Sequence, residues 1–306
     1  MLFRSLKSLL CVVLFSAGLP LAHAQTVISA SPATISTSGS YVLGNPITGL
    51  SITANNVTLD LAGFNVSQNP GTVVNCAITV GTRGNSCSST TSGTVAMSIT
   101  GSNVVVRNGF VSSGLSHGIS ITAGLNSNSN VLIDGVSVSN FRGNGIQING
   151  GNVSLSNVQV TQVGNTGILG TTGNVRMKNV TSNYNNGLGM QLNVHGILEE
   201  VSADYNTSWG IQSVGPIIGA SAAYNGGVGI FNAGSVRDAL AIGNVSDGIV
   251  ATGGFGLIVD STATQNSGNG FTMNSHTCYS RLSAAGNALV AVSGGTALTG
   301  SVASCN

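Results

Sequence analysis

Charge is what this sequence has least of. Nine basic and eight acidic side chains are spread over 306 residues. Nucleic acid and anionic membrane surfaces both require clustered Lys and Arg, so neither is an expected partner. Long apolar runs are almost as scarce. The only one, Leu9 to Leu19, is too short to span a bilayer and is followed at once by Pro20. Arg4 and Lys7 precede it, and Ala22-His23-Ala24 supplies a small-x-small cleavage pattern. Residues 1–24 therefore read as an export signal, and no membrane insertion is expected after its removal. Cleavage leaves seven basic and eight acidic side chains, on a protein expected to be secreted, periplasmic or at the cell surface.

Cysteine is sparse as well. After loss of Cys11 the chain keeps Cys76, Cys87, Cys278 and Cys305, which allow three pairings in an oxidising compartment. The expected pairs are Cys76–Cys87, closing a loop, and Cys278–Cys305, stapling the C-terminal end. Their scatter is unlike a zinc site. Low charge with abundant Gly, Ser, Asn and Thr is also a composition of disordered chains, but evenly spaced Val, Ile and Leu exclude that.

What the chain does have is a repeat. Glycine followed by an apolar residue recurs at Gly118-Ile119, Gly145-Ile146, Gly167-Ile168, Gly189-Met190, Gly210-Ile211, Gly229-Ile230, Gly248-Ile249 and Gly270-Phe271, in steps of 27, 22, 22, 21, 19, 19 and 22 residues. A period near 21 is one coil of a solenoid. Each coil carries three short alternating segments, as in Gly145-Ile146-Gln147-Ile148, Asn152-Val153-Ser154-Leu155 and Val158-Gln159-Val160. Period-2 alternation marks strands with one buried face. A second register agrees: Asn185, Asn206, Asn225, Asn244 and Asn266 each stand four residues before the next repeat glycine, and Asn287 continues the series. At a rise of about 4.8 Å per coil these amides fall within hydrogen-bonding reach of one another. The glycines and asparagines are expected to make tight turns at positive φ.

The expectation is an all-β solenoid of three parallel sheets, one domain over residues 25–306. About ten coils between Gly49 and Ser293 would give a rod near 50 Å. A Cys-bounded insertion at about 68–94 and a lengthened turn at 122–129 interrupt it. These features resemble the right-handed parallel β-helix repeat proteins of the pectate-lyase-like superfamily. The segment Asn56-Val57-Thr58-Leu59-Asp60-Leu61-Ala62-Gly63 is similar to an opening motif of its secreted bacterial members. The resemblance implies the fold, and a family that spans lyases, hydrolases, epimerases, phage spikes and adhesins. It does not carry a catalytic signature: the acidic metal cluster and basic arginine of calcium-dependent pectate lyases are missing. So are the complete Asn-Thr-Asp, Asp-Asp, Gly-His-Gly and Arg-Ile-Lys segments of polygalacturonase-like hydrolases, to which Arg176-Met177-Lys178 is only superficially similar.

Stacking the coils brings candidate residues together. Six positions before each ladder asparagine the column reads Asn179, Glu200, Gly219, Asp238, Asp260 and Arg281. Asp238 and Asp260 become neighbours, and two close carboxylates are what a glycosidase needs, or a shared proton, or a Ca2+ site. Asp238, Asp260, Glu200 and Arg281 are thus the candidate catalytic group, with turn capping and neutralisation of Asp260 by Arg281 as the competing reading. On the second strand Lys178 shares a column with Glu199, and Arg107 with Asp134, as cross-coil ion pairs. His117 and His276 read as isolated surface residues. Tyr184, Tyr205 and Tyr224 form one column, with Trp209 in the following turn, and are candidates for stacking against sugar rings. Strict alternation from Val180 and Val201 points those tyrosines inward unless a turn reverses them. The leading expectation is an exported scaffold contacting polysaccharide or another surface partner with no cofactor. The alternative is a polysaccharide lyase or glycoside hydrolase using the acidic column, with Ca2+ as its cofactor.

Overall fold

The computed structural model describes residues 25–68, 94–123, 129–232, 234–253 and 256–298. The expected export signal at 1–24, most of the insertion with Cys76 and Cys87, part of the lengthened turn, and Cys305 lie outside these residues. Every regular element among the described residues is a β-strand, and all strand pairings are parallel. Each strand pairs with the equivalent strand one coil away, so three sheets run along the rod. In the first, Leu50–Ile52 pairs with Met97–Ile99, then Ile119–Ile121 and Ile146–Ile148, on through Ile211–Ser213, Ile230–Asn232, Ile249–Ala251 and Phe271–Met273 to Val292–Ser293. That is ten steps from Leu50 to Val292, the number of coils the repeat predicts. Ala33–Ile35 stacks before Leu50–Ile52.

Alternation decides what is inside. Ile, Val, Leu and Met at every second position form one continuous core, and most are fully buried. The third sheet narrows it with the small column Ser182, Ala203, Ala222, Ala241 and Ala263, all fully buried. Its register is as the sequence predicts, Ala222 facing Ala241 and Ala241 facing Ala263. The repeat glycines serve this narrowness, and positive φ is not their purpose. A Cβ on Gly210 would lie 2.6 Å from the Gly229 carbonyl oxygen, 2.7 Å from Asn225 Nδ2 and 3.0 Å from Ala222 Cβ. Gly229 and Gly248 are confined in the same way. In the coils that carry these glycines the first turn is packed too tightly for a side chain, whereas Ala96 and Ala291 fill the same position in coils near either end.

Most of the non-glycine residues that take positive φ fall in two corner columns. Between the second and third sheets stand Asn108, Gly135, Asn157, Asn179, Glu200, Gly219, Asp238, Asp260 and Arg281, with φ between 51° and 66°. At the end of the third sheet stand Ser113, Asn140, Gln162, Tyr184, Tyr205, Tyr224, Gly243, Gln265 and Gly286, with φ between 55° and 69°. One left-handed residue reverses the inside–outside alternation, which is how a strand turns a corner without a loop.

Beside the second corner the asparagine ladder forms as expected. Asn206 Oδ1 accepts from the Asn185 backbone N–H (3.0 Å) and from Asn185 Nδ2 (2.9 Å). Asn206 Nδ2 donates to Asn225 Oδ1 (3.0 Å) and to the Ser182 carbonyl (3.0 Å). The pattern repeats through Asn225, Asn244, Asn266 and Asn287. Asn206, Asn225, Asn244 and Asn266 are buried with all four of their hydrogen-bonding directions used, while Asn185 and half-buried Asn287 end the run with three each.

Candidate functional site

The proposed acidic group lies wholly on the first corner column. Glu200, Asp238, Asp260 and Arg281 each occupy its left-handed position, with φ of 54°, 51°, 52° and 51°. Asp suits such a corner because its short side chain tolerates αL. Asp238 and Asp260 stand on successive coils, while Gly219 separates Glu200 from Asp238. Arg281 engages Asp260 through both carboxylate oxygens, Nη2 donating to Oδ2 at 2.6 Å and Nε donating to Oδ1. That hydrogen bond holds the Asp260 carboxyl below its ordinary range. An ionised, paired carboxylate is the reverse of the raised pKa that a general acid needs. Among the described residues no three His, Cys, Asp or Glu side chains gather where a metal ion could be held.

The ion pairs of the second sheet differ from their sequence assignment. Lys178 does face Glu199, and Arg107 faces Asp134, in the strand register. The bonds run diagonally or to the other neighbour: Arg176 Nη2 reaches Glu199 Oε1 at 3.0 Å, and Arg107 Nε reaches Asp60 Oδ2 at 3.1 Å. Arg107 thus chooses Asp60, its direct partner on the preceding coil, over Asp134 on the following one. His117 also departs from expectation. It is half-buried, and its Nδ1 accepts from the Asn144 backbone N–H at 2.8 Å. Burial lowers its pKa.

The tyrosines point outward, because left-handed corners at φ 58°, 56° and 55° reverse the alternation. Tyr205 is 45% exposed and Tyr224 51%. Tyr184 stacks on Tyr205 with ring centroids 5.1 Å apart and planes at 3°, and Tyr205 stacks on Tyr224 at 5.1 Å and 19°. The far face of Tyr224 covers Gly243, where a Cβ would meet its ring at 2.7 Å. The faces are therefore spent on one another, and what solvent meets is mainly a row of edges and hydroxyls. Stacking at about 0.5–1.5 kcal/mol per pair offsets the left-handed conformation, which disfavours a non-glycine residue by roughly 1–2 kcal/mol. This column is accounted for by the fold.

The neighbouring aromatic pair is different. Trp209, in the turn after the ladder asparagine, stacks on Phe231 at 5.1 Å and 25°. Phe231 is the outward residue of Ile230–Asn232 and sits one coil after Gln212, which follows Gln191. Trp209 and Phe231 are both half-buried on the outer surface. Two coils beyond Trp209, Asp247 accepts from Thr272 Oγ1 at 2.7 Å and from the Asn269 N–H at 2.7 Å, with Thr272 in the same outward column as Phe231. The site is thus an aromatic platform with amides on one side and a fixed carboxylate on the other. Phe231 and Asp247 were missed in the sequence, although alternation around buried Ile230 marks Phe231 as outward.

Asp204 adjoins the tyrosines. Its Oδ1 accepts from the Ala223 N–H at 2.8 Å and its Oδ2 from the Ser202 hydroxyl at 2.5 Å. Burial pushes its pKa up, against the lowering effect of those two bonds. The Tyr205 phenol is also pushed up, by desolvation first, then by Tyr184, Tyr224 and Asp204.

No family model and no curated protein matches the sequence. Solved structures do match. The A-module of the mannuronan C-5 epimerase AlgE4 of Azotobacter vinelandii is similar over 88% of this chain and 91% of its own, at 13% identity and a TM-score of 0.49. The AlgE6 A-module of the same organism gives the same coverage and identity with a TM-score of 0.45. The Dettilon tailspike protein matches 85% of this chain and 55% of its own, at 11% identity and a TM-score of 0.49. At such identities the likeness is one of fold, and the strand registers of the chain itself establish its parallel β-solenoid.

Proposed function

We propose that this protein is an exported β-helix scaffold that binds a polysaccharide on the outer surface of its first sheet, without catalysing its cleavage. The observation that carries the reading is the outward Trp209–Phe231 pair. Trp209 covers Gly227 much as Tyr224 covers Gly243, but its partner Phe231 stands in the outward column of the first sheet beside Gln212 and Gln191, where the coil itself calls for no aromatic ring. Sugar rings present one apolar face and a rim of hydroxyls, and so match a flat aromatic surface bordered by hydrogen-bonding groups. Gln191, Gln212 and the Asp247 carboxylate supply that border, and the tyrosine hydroxyls extend it around the turn. A nearly neutral protein meets such a chain through stacking and hydrogen bonds, with no need for charge steering.

Binding is preferred to a lyase or hydrolase function because Arg281 occupies Asp260 and Gly219 isolates Glu200. Export belongs to the same proposal, as do the pairs Cys76–Cys87 and Cys278–Cys305; Cys278 is fully buried. Cosedimentation of the mature protein with insoluble polysaccharides tests it. At least one polysaccharide should retain the wild type and Asp260→Asn while losing Trp209→Ala and Phe231→Ala. Release of reducing or unsaturated ends that disappears in Asp260→Asn would replace this reading with the enzymatic one.

A further inference from the structure

A second surface, N-terminal to the aromatic platform, has the character of a separate binding site. An open groove of about 370 Å3 follows the corner between the second and third sheets, lined by Asn108, Gly109, Phe110, Gly135, Ser137 and Gln159 among others. It is open to solvent, so a ligand would lie along it and not be enclosed. Glycine creates it. The first corner column carries Asn108, then Gly135 at φ 62°, then Asn157, so one coil lacks a corner side chain between two that have one. Gly109, which also lines the groove, is compelled to be glycine: a Cβ there would lie 2.4 Å from Leu61 Cβ and 2.9 Å from the Phe64 carbonyl.

Phe110 stands beside this gap. It is the outward residue next to buried Val111 and is 52% exposed. Ser137 pairs with it one coil on, and Gln159 pairs with Ser137 after that. The surface therefore steps down from an aromatic ring onto a hydroxyl and an amide. Asn108 Oδ1 faces the gap from the corner, 3.5 Å from where a Gly135 Cβ would be.

The surrounding charges are already engaged. Asp60 accepts from Arg107 Nε at 3.1 Å and from Asn108 Nδ2 at 3.2 Å. Asp134 accepts from Asn157 Nδ2 at 2.8 Å. The side chains lining the groove are all uncharged. An anionic sugar would find no cation there, because Arg107 serves Asp60.

We infer that this groove binds a neutral glycan. A pyranose ring packs its C–H face on Phe110, and its hydroxyls bond Ser137, Gln159 and the side-chain Oδ1 of Asn108. The site stands independently of the Trp209–Phe231 platform, and either can fail without the other. If one long chain engages both, the second contact is intramolecular and raises overall affinity without any new interaction.

The test titrates the full mature protein with hexasaccharides of β-glucan, β-mannan, β-xylan and N-acetylglucosamine, and with oligogalacturonate and oligoguluronate, by calorimetry. At least one neutral hexasaccharide should bind, and Phe110→Ala should weaken that binding about tenfold, as expected for a lost aromatic stack. Ser137→Trp, which fills the groove from an outward position, should weaken it at least as much, with circular dichroism unchanged in both variants. Trp209→Ala should leave this contribution in place. The inference is overturned if no neutral hexasaccharide shows binding sensitive to Phe110→Ala and Ser137→Trp. It is equally overturned if the uronates bind as tightly through the same residues.

Discussion

Substituting Asn225 tests the physical basis of the fold most severely. Its side chain is fully buried and makes four hydrogen bonds. Oδ1 accepts from the Asn206 backbone N–H and from Asn206 Nδ2, both at 3.0 Å. Nδ2 donates to the Ala203 carbonyl at 2.9 Å and to Asn244 Oδ1 at 3.0 Å. Alanine leaves at least the Asn206 N–H and one Nδ2 hydrogen without an acceptor in a dry interior. At about 1–3 kcal/mol for each buried unsatisfied group, Asn225→Ala should cost about 2–6 kcal/mol. Asn225→Asp should cost more, since it sets an anionic oxygen against the Ala203 carbonyl and Asn244 Oδ1 with no donor to offer. An internal control exists in the exposed ladder, where Asn130 Nδ2 donates to Asn103 Oδ1 at 3.1 Å. Asn130→Ala should stay within about 0.5 kcal/mol of wild type. Urea unfolding gives the midpoints and slopes, and amide exchange at Asn206 localises the damage should the rod unfold in sections. The reasoning fails if Asn225→Ala matches Asn130→Ala, or if aspartate is tolerated as well as alanine.

Titratable groups give further expectations. Burial raises the Asp204 pKa above its ordinary 3.8, so its contribution to stability is present at low pH and lost as pH rises through the raised value. Asp204→Asn should therefore be more stable than wild type at pH 7, with the difference shrinking on acidification in thermal melts. His117 shifts the other way, below 6.5, because burial disfavours the cation; a protonated Nδ1 would also lose its bond from the Asn144 N–H. Stability should fall as pH drops below about 6.5, and His117→Gln, which retains an acceptor oxygen, should flatten that slope in denaturant titrations. Asp260→Asn should leave the melting temperature nearly unchanged at pH 7, since the Arg281 pair is exposed. A calcium-dependent rise in melting temperature that vanishes in this variant would instead make the acidic column a metal site.

The architecture was legible because a solenoid writes its coil into the sequence as a period. Gly210, Gly229 and Gly248, and the asparagines before them, are set by packing against their own copies one coil away. The reason for the glycines was not legible, since a Cβ clash with the carbonyl of the next coil depends on how closely coils approach. The outward turn of Tyr205 was hidden for a related reason: one left-handed residue inverts the period-2 rule, and tyrosine gives no sign of adopting it. Arg107 was assigned to Asp134 because 47 residues, including the insertion, separate it from Asp60, its neighbour in space. Asp238 and Asp260 were correctly stacked from the register alone. Their place in a corner column, and the grip of Arg281 on one of them, required side-chain geometry to weigh.

The most direct test of glycan binding at the aromatic platform uses the fact that Trp209 is the chain's sole tryptophan. Its emission reports this site and no other. Titrating the mature protein with a panel of soluble neutral and acidic polysaccharides should produce a saturable change in that emission for at least one of them. Phe231→Ala, which removes the other half of the platform, should abolish the response. A folded protein whose tryptophan emission is indifferent to every polysaccharide in the panel would contradict the proposed function.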